Sequence, residues 1–185
     1  MPEIDEDDFR GIMSRLVSGV SVVAAKYRNL DLAMTATSLV SVSLHPPTVL
    51  FTVHEDARLA DAVESDAPWA VSILGPEGLP AADWLASPGR PAINQLSSVP
   101  HVPGDLTGAA ILDAASAWIE CRTSWVKAAG SHLVVVGRVL GGGIRPGVTG
   151  GIVHAYGRLE EFGAGRGVLP HWCERSPPHY PRIPP

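Results

Sequence analysis

Residues 33–53, AMTATSLVSVSLHPPTVLFTV, restrict this chain more than any other stretch. Met34–Ser38 is small and hydroxyl-rich, Leu39–Leu44 mixes apolar residues with serine in alternation, and Thr48–Val53 is β-branched and aromatic. Alternation and β-branching favour strands over helices. Pro46-Pro47 interrupts the run and biases His45 toward extended backbone, so one strand must turn into another there. The small side chains also let a ligand approach the main chain. Free N–H groups beside Ser and Thr hydroxyls suit an anionic, acceptor-rich ligand.

The flanking segments extend this β-rich pattern. Residues 5–18 read as an amphipathic helix with Phe9, Ile12, Met13, Leu16 and Val17 on one face. Asp5 suits its start and Gly19 its stop, and the helix is expected to pack over the end of a barrel or sheet. Val20–Ala25 and Leu32–Thr37 form a hairpin across a polar turn. Ala57–Glu64 is a short helix with Leu59, Ala60 and Val63 inward, and Gly78–Ala86 is another. Further strands are expected at Pro68–Leu74, Trp118–Val126, Leu133–Leu140 and Gly151–Leu159. Ser87–Pro103 reads as loop, and Gly141–Gly147 as a flexible connection.

From Leu169 onward lie six of the 17 prolines, which excludes regular helix or strand there. We therefore expect one domain over residues 1–165 and a Pro-rich tail over 166–185, either free or laid as an arm across a partner subunit. No GxGxxG follows a first strand, so a dinucleotide-binding doubly wound sheet is excluded. The fold class expected is mainly β: a closed antiparallel barrel with short helices at its ends.

Charge and cysteines narrow the class further. The net charge is −5 without a Lys/Arg cluster, which removes a nucleic-acid footprint. Cys121 and Cys173 are far apart and in no CxxC pair, so a disulfide framework is excluded, although a single bridge is not. Cys121 is expected to be buried and inert. The acidic N-terminus lacks the basic and apolar regions of a signal peptide, and the longest uncharged apolar stretch contains Pro46-Pro47. A cytoplasmic protein without a membrane span is the expectation. His171, Cys173 and His179 are too short and Pro-interrupted a set for a metal site, and none is expected.

Several segments, in order, resemble the flavin reductase-like family, whose fold is the FMN-binding split barrel. They are Phe9-Arg10, Ser18–Val23, Met34–Ser38, Ser41–Leu44 and Pro46-Pro47, then Trp118–Cys121 and Gly130–Gly137. The resemblance spans roughly residues 9–160. It implies a homodimer that binds FMN or FAD and reduces it with NADH or NADPH, with a separate monooxygenase as a partner for the reduced flavin. The alternative is a split-barrel protein that binds a flavin or a deazaflavin without reductase turnover, as a carrier or interaction protein.

The same resemblance implies site residues. Met34, Thr35, Ala36, Thr37 and Ser38 match the segment along the flavin ring, where fixed donors stabilise charge developing at the ring edge. Ser41 and Ser43 match the next segment, and Asn94 a loop contact. His54, Ala57, Arg58 and Leu59 match the phosphate end, where a helix start and a cation suit an anion. Family members often carry hydroxyls where Ala57 and Leu59 stand, so two oxygen contacts are missing. His132 matches the His of a Gly-Asp-His motif and is the catalytic candidate, but Ser131 replaces the Asp that would hold the imidazole. Tyr156 matches a late strand that approaches a partner's flavin.

Overall fold

Val22 to Ala25 is an unbroken apolar run, and a strand apolar on both faces needs cover on both sides. The computed structural model supplies that cover; it describes residues 4–163 apart from Pro88 and Ala92. The expectations for the Pro-rich tail, with His171, Cys173 and His179, fall outside the described residues.

In chain order the elements are α1 (Glu6–Met13), β1 (Ser18–Gly19), β2 (Ser21–Tyr27), β3 (Leu30–Ala36), β4 (Val40–Leu44), β5 (Pro47–His54), α2 (Arg58–Glu64), β6 (Trp69–Leu74), α3 (Leu79–Ala86), β7 (His101–Pro103), β8 (Ala110–Leu112), β9 (Ala115–Ala129), β10 (His132–Ile144), β11 (Gly151–Ala155) and β12 (Arg158–Phe162). Seven strands form one antiparallel sheet in the order β3-β2-β6-β9-β10-β5-β4. A second sheet joins β1, β11 and β12, and β7 pairs with β8.

The long sheet curls round an apolar interior. Val23, Phe51, Val53, Trp69, Val71, Cys121 and Val135 meet there, and α2 adds Leu59, Ala60, Ala62 and Val63. Val22 and Ala24 of β2 point the other way, against Leu85 and Ala82 of α3 and Leu112 of β8. Trp69 is fully buried, stands edge-on to Phe51 at 5.0 Å and donates its indole N–H to Thr123 Oγ1 at 3.1 Å. Gly137 sits against that ring, and a methyl group there would overlap it.

The barrel is split rather than closed, because no ladder joins the outer strands β3 and β4. Where β4 has given way to the preceding loop, Ser38 takes over its role. Its hydroxyl accepts the Thr52 N–H at 3.0 Å.

Four local expectations are corrected. The first helix ends at Met13, and none of its residues is buried. Gly19 therefore lies in β1 instead of stopping a helix. Gly141–Gly143 lie within β10, paired with β9, because side chains at 142 and 143 would strike Trp118. Gly151–Leu159 is a hairpin, with Tyr156 and Gly157 in its turn at positive φ. Finally, His101–Pro103 leaves the expected loop to pair as β7.

Candidate functional site

β3 is an outer strand, so alternate main-chain groups face away from the sheet. Two of these are already satisfied. Arg90 donates to the Ala33 carbonyl at 2.9 Å, and Gln95 donates to the Asp31 carbonyl at 3.3 Å. The two-residue period of the ladder puts the Thr35 N–H on the same edge, beyond the reach of that cover. The β3 edge is thus half closed and half open, and the opening coincides with the start of the hydroxyl-rich run.

A cleft of about 70 Å³ lies at the closed half, lined by Leu32, Ala33, Met34, Ala57, Arg58, Leu59, Arg90 and Gln95. The structure brings Met34, read from the sequence as part of the ring platform, into one cleft with Ala57, Arg58 and Leu59, read as the phosphate end. Arg58 is the first residue of α2, and no side chain caps that helix start.

Arg90 and Gln95 were missed. The resemblance offers only Asn94 as a contact from this loop, whereas the structure brings Arg90, four residues earlier, to the cleft. Its guanidinium also donates to the Ser87 carbonyl at 3.0 Å and to Gln95 Oε1 at 3.3 Å. All three acceptors are neutral, and among the described residues no carboxylate lies within 4 Å of Arg90 or Arg58. Burial pulls the Arg90 pKa below its ordinary value, yet arginine stays charged at neutral pH. Two cations without counter-charges therefore meet at one cleft. The available signal was the Ser-Pro-Gly-Arg-Pro turn, whose reach to β3 depends on tertiary packing.

The remaining members of the hydroxyl-rich run divide by task. Thr35 Oγ1 donates to the Ala82 carbonyl of α3 at 2.7 Å. Ala36 is buried in the barrel interior, and Thr37 is exposed. Ser43 Oγ accepts the His45 N–H at 3.1 Å, which uses it in the turn, whereas Ser41 is exposed on β4. Asn94 is exposed at positive φ and lines a different cavity, with Asn29 and His101. Tyr156 stands at its hairpin tip, where its N–H donates to Ser14 and Arg15 lies 5.2 Å from its ring centre. Neither Asn94 nor Tyr156 lines the Arg58 cleft.

His132 opens β10 directly opposite His54, the last residue of β5. The Glu55 N–H donates to the Ser131 carbonyl, so the next pair, His54 and His132, is a non-hydrogen-bonded one, the closer kind. The ring centres are 5.1 Å apart and the planes cross at 75°. His132 Nδ1 lies 3.1 Å from Ser131 Oγ, and His54 Nδ1 accepts the Asp56 N–H at 3.2 Å. A hydroxyl and a second imidazole thus stand where the expected Asp is missing. His54 is two residues beyond Thr52, about 7 Å along the strand, which links this pair to Ser38.

Elsewhere, Glu120 is buried and its Oε2 accepts from Leu106 N, Thr107 N and Thr107 Oγ1 at 2.7–2.9 Å. Among the described residues Cys121 is a free, buried thiol whose pKa is pushed up to about 12 by burial first and by the Glu120 charge second. No group of three or more His, Cys, Asp or Glu side chains is placed to hold a metal ion among the described residues. None of their helices is long and apolar enough to cross a membrane.

The family model described as flavin reductase like domain matches residues 13–163. The flavin reductase (NADH) of Kitasatospora aureofaciens is 30% identical over 153 residues, 82% of this chain and 78% of that protein. The flavin reductase component of a bacterial two-component tryptophan halogenase superposes with a TM-score of 0.79 at 31% identity, over 86% of this chain and 99% of that one. The Streptomyces globisporus NADH:FAD oxidoreductase, solved with NAD and FAD fragments, gives 0.80 at 28% identity, over 90% of this chain and all of that one.

Proposed function

The chain belongs to the flavin reductase-like domain family, and from that premise we propose that it is an NAD(P)H-dependent flavin reductase that takes FMN or FAD. The observation that carries the assignment of its site is the half-open β3 edge beside a cleft holding Arg58 and Arg90 without counter-charges. That combination fits a flavin: a main-chain donor for its acceptor-rich ring edge, and cations for its phosphate. NADH is the favoured donor, since relatives are named for it.

A bound flavin supplies the acceptor for hydride from the nicotinamide. The chain's own groups bind and orient. The Thr35 N–H meets an acceptor at the ring edge and favours negative charge there. Arg58, at an uncapped helix start, pairs with phosphate oxygens. Arg90 adds charge while holding the loop against β3. His132 would offer its Nε2 to hold the nicotinamide amide or to deliver a proton. The residues Ala57 and Leu59 give the phosphate no hydroxyl, so the cations and main chain bear that load.

The working unit we propose is a homodimer. The apolar side of α1, with Phe9, Ile12 and Met13, is exposed, as are Leu16 and Val17 just after the helix and Val40, Val42 and Leu44 of β4. Apolar area on this scale calls for a partner surface. A separate flavin-dependent monooxygenase or halogenase would consume the reduced flavin, as in the two-component halogenase relative. A cytoplasmic setting is part of the same proposal.

The deciding experiment is NADH oxidation by purified protein with FMN or FAD added, beside flavin titration. Turnover with either flavin is expected. Flavin binding without nicotinamide oxidation would make the chain a carrier, and binding of a deazaflavin alone would overturn the reductase reading.

A further inference from the structure

We propose that His54 and His132 form a two-imidazole site for one divalent late transition-metal ion, Zn²⁺ above all, and that the ion inhibits the enzyme by occupying His132. The binding stands on the structure alone; the inhibition rests on the reductase reading given above.

The geometry points to this in three ways. The two residues are a non-hydrogen-bonded cross-strand pair, so their side chains leave the sheet in parallel at the closest spacing a ladder allows. Their ring centres, 5.1 Å apart, already have the separation of two imidazoles on one ion; metal–nitrogen bonds of about 2.0–2.1 Å at a tetrahedral angle require roughly that spacing. Neither Nε2 has a hydrogen-bond partner among the described residues; Ser131 Oγ can accept from His132 Nδ1, and at His54 the ring proton must move from Nε2 to Nδ1 as the ion binds, exchanging the bond from Asp56 N–H for one to the Asp56 carboxylate, whose Oδ2 lies 3.8 Å away. Engagement of the far nitrogen orients a metal-binding imidazole.

The site is also accessible, with the His54 side chain 48% exposed. Rigid pairing of β5 with β10 holds the two ligands together before the ion arrives, which lowers the ordering cost of chelation. Asp56 lies on the Nδ1 side of His54, with Oδ2 3.8 Å from that nitrogen, so it steadies the ring instead of completing the set. Water fills the remaining positions, and the site therefore binds reversibly and favours imidazole-seeking ions over Mg²⁺ or Ca²⁺.

The test uses the full chain, stripped with a chelator and titrated with zinc chloride by calorimetry. One ion per chain is expected, with at least tenfold weaker binding in His54→Gln and in His132→Gln and no change in Cys173→Ser. Imidazole NMR gives a readout without mutation: zinc should shift the His54 and His132 resonances and leave the other five histidines in place. Wild-type affinity in both Gln variants, or zinc shifts confined to other histidines, would overturn the site. With NADH and flavin present, zinc should slow wild-type turnover, and the fractional slowing should shrink in His54→Gln. Zinc bound at the pair in a protein with no NADH oxidation would uphold the site and overturn the reductase reading instead.

Discussion

His54 and His132 face one another across β5 and β10 with ring centres 5.1 Å apart, edge to face. Each is exposed, and each has its Nδ1 engaged. This pairing holds the His132 ring where the chain has Ser131 in place of an acidic residue. The cost of the replacement is a weaker electrostatic hold on the imidazole, because a hydroxyl carries no charge.

Replacing His132 with Ala should slow flavin reduction roughly tenfold to a hundredfold, within or below the range usual for a general acid. Flavin affinity should change less than threefold. Stopped-flow oxidation of NADH and flavin titration measure the two separately, and an unchanged rate would leave His132 a structural residue.

Arg58→Ala should weaken FMN about tenfold or more, since a charge-assisted hydrogen bond contributes about 1.5–3 kcal/mol. Riboflavin, which lacks the phosphate, should lose little. Equal losses for the two ligands would remove the phosphate from this cleft. Arg90→Ala should weaken both, because Arg90 also ties the Ser87 and Gln95 loop to Ala33.

Gly137→Ala should destabilise the fold by about 1–3 kcal/mol, the usual range for overpacking. The added methyl meets the ring of Trp69, which is itself pinned by Thr123 and Phe51. Denaturant unfolding reads the loss, and Trp69→Phe in the same background should recover part of it.

Loss of the Glu120 carboxylate should cost more than its area suggests. Glu120→Ala leaves the Leu106 and Thr107 N–H groups and the Thr107 hydroxyl without their acceptor, at about 1–3 kcal/mol for each group left buried and unpaired. Glu120→Gln, which keeps an acceptor oxygen, should retain more stability. A thermal melt of the three proteins would rank them.

Cys121 should resist alkylation in the native protein through pH 9, as its thiol is pushed up to about 12 by burial and then by Glu120. A thiol harder to ionise in the folded state favours folding fully below the unfolded pKa, and that contribution is lost as pH rises from about 9 toward 12. Cys121→Ala should flatten the fall in stability over that window. Peptide mapping after iodoacetamide, with and without denaturant, checks the first point.

Much of this protein was written locally. The Thr48–Val53 run, the Pro46-Pro47 break and the inward set Leu59, Ala60 and Val63 each specify an element through periodicity, β-branching or backbone restriction, and each element formed near its expected bounds. Arg58 as a candidate anion ligand was also legible, although only through likeness to known relatives. Arg90 was not, because its meaning lies in a main-chain acceptor on β3, 57 residues away. Nor was the role of Gly141–Gly143: glycine reads as a turn until Trp118 fills the space a side chain would need. The exposed apolar side of α1 makes the same point in reverse. Helical spacing determined which residues share a face, and only the tertiary structure decided that nothing in the described chain covers it. Local rules act through neighbours in sequence, whereas an anion cleft, a histidine pair and a covered strand edge exist only once distant strands are brought into register.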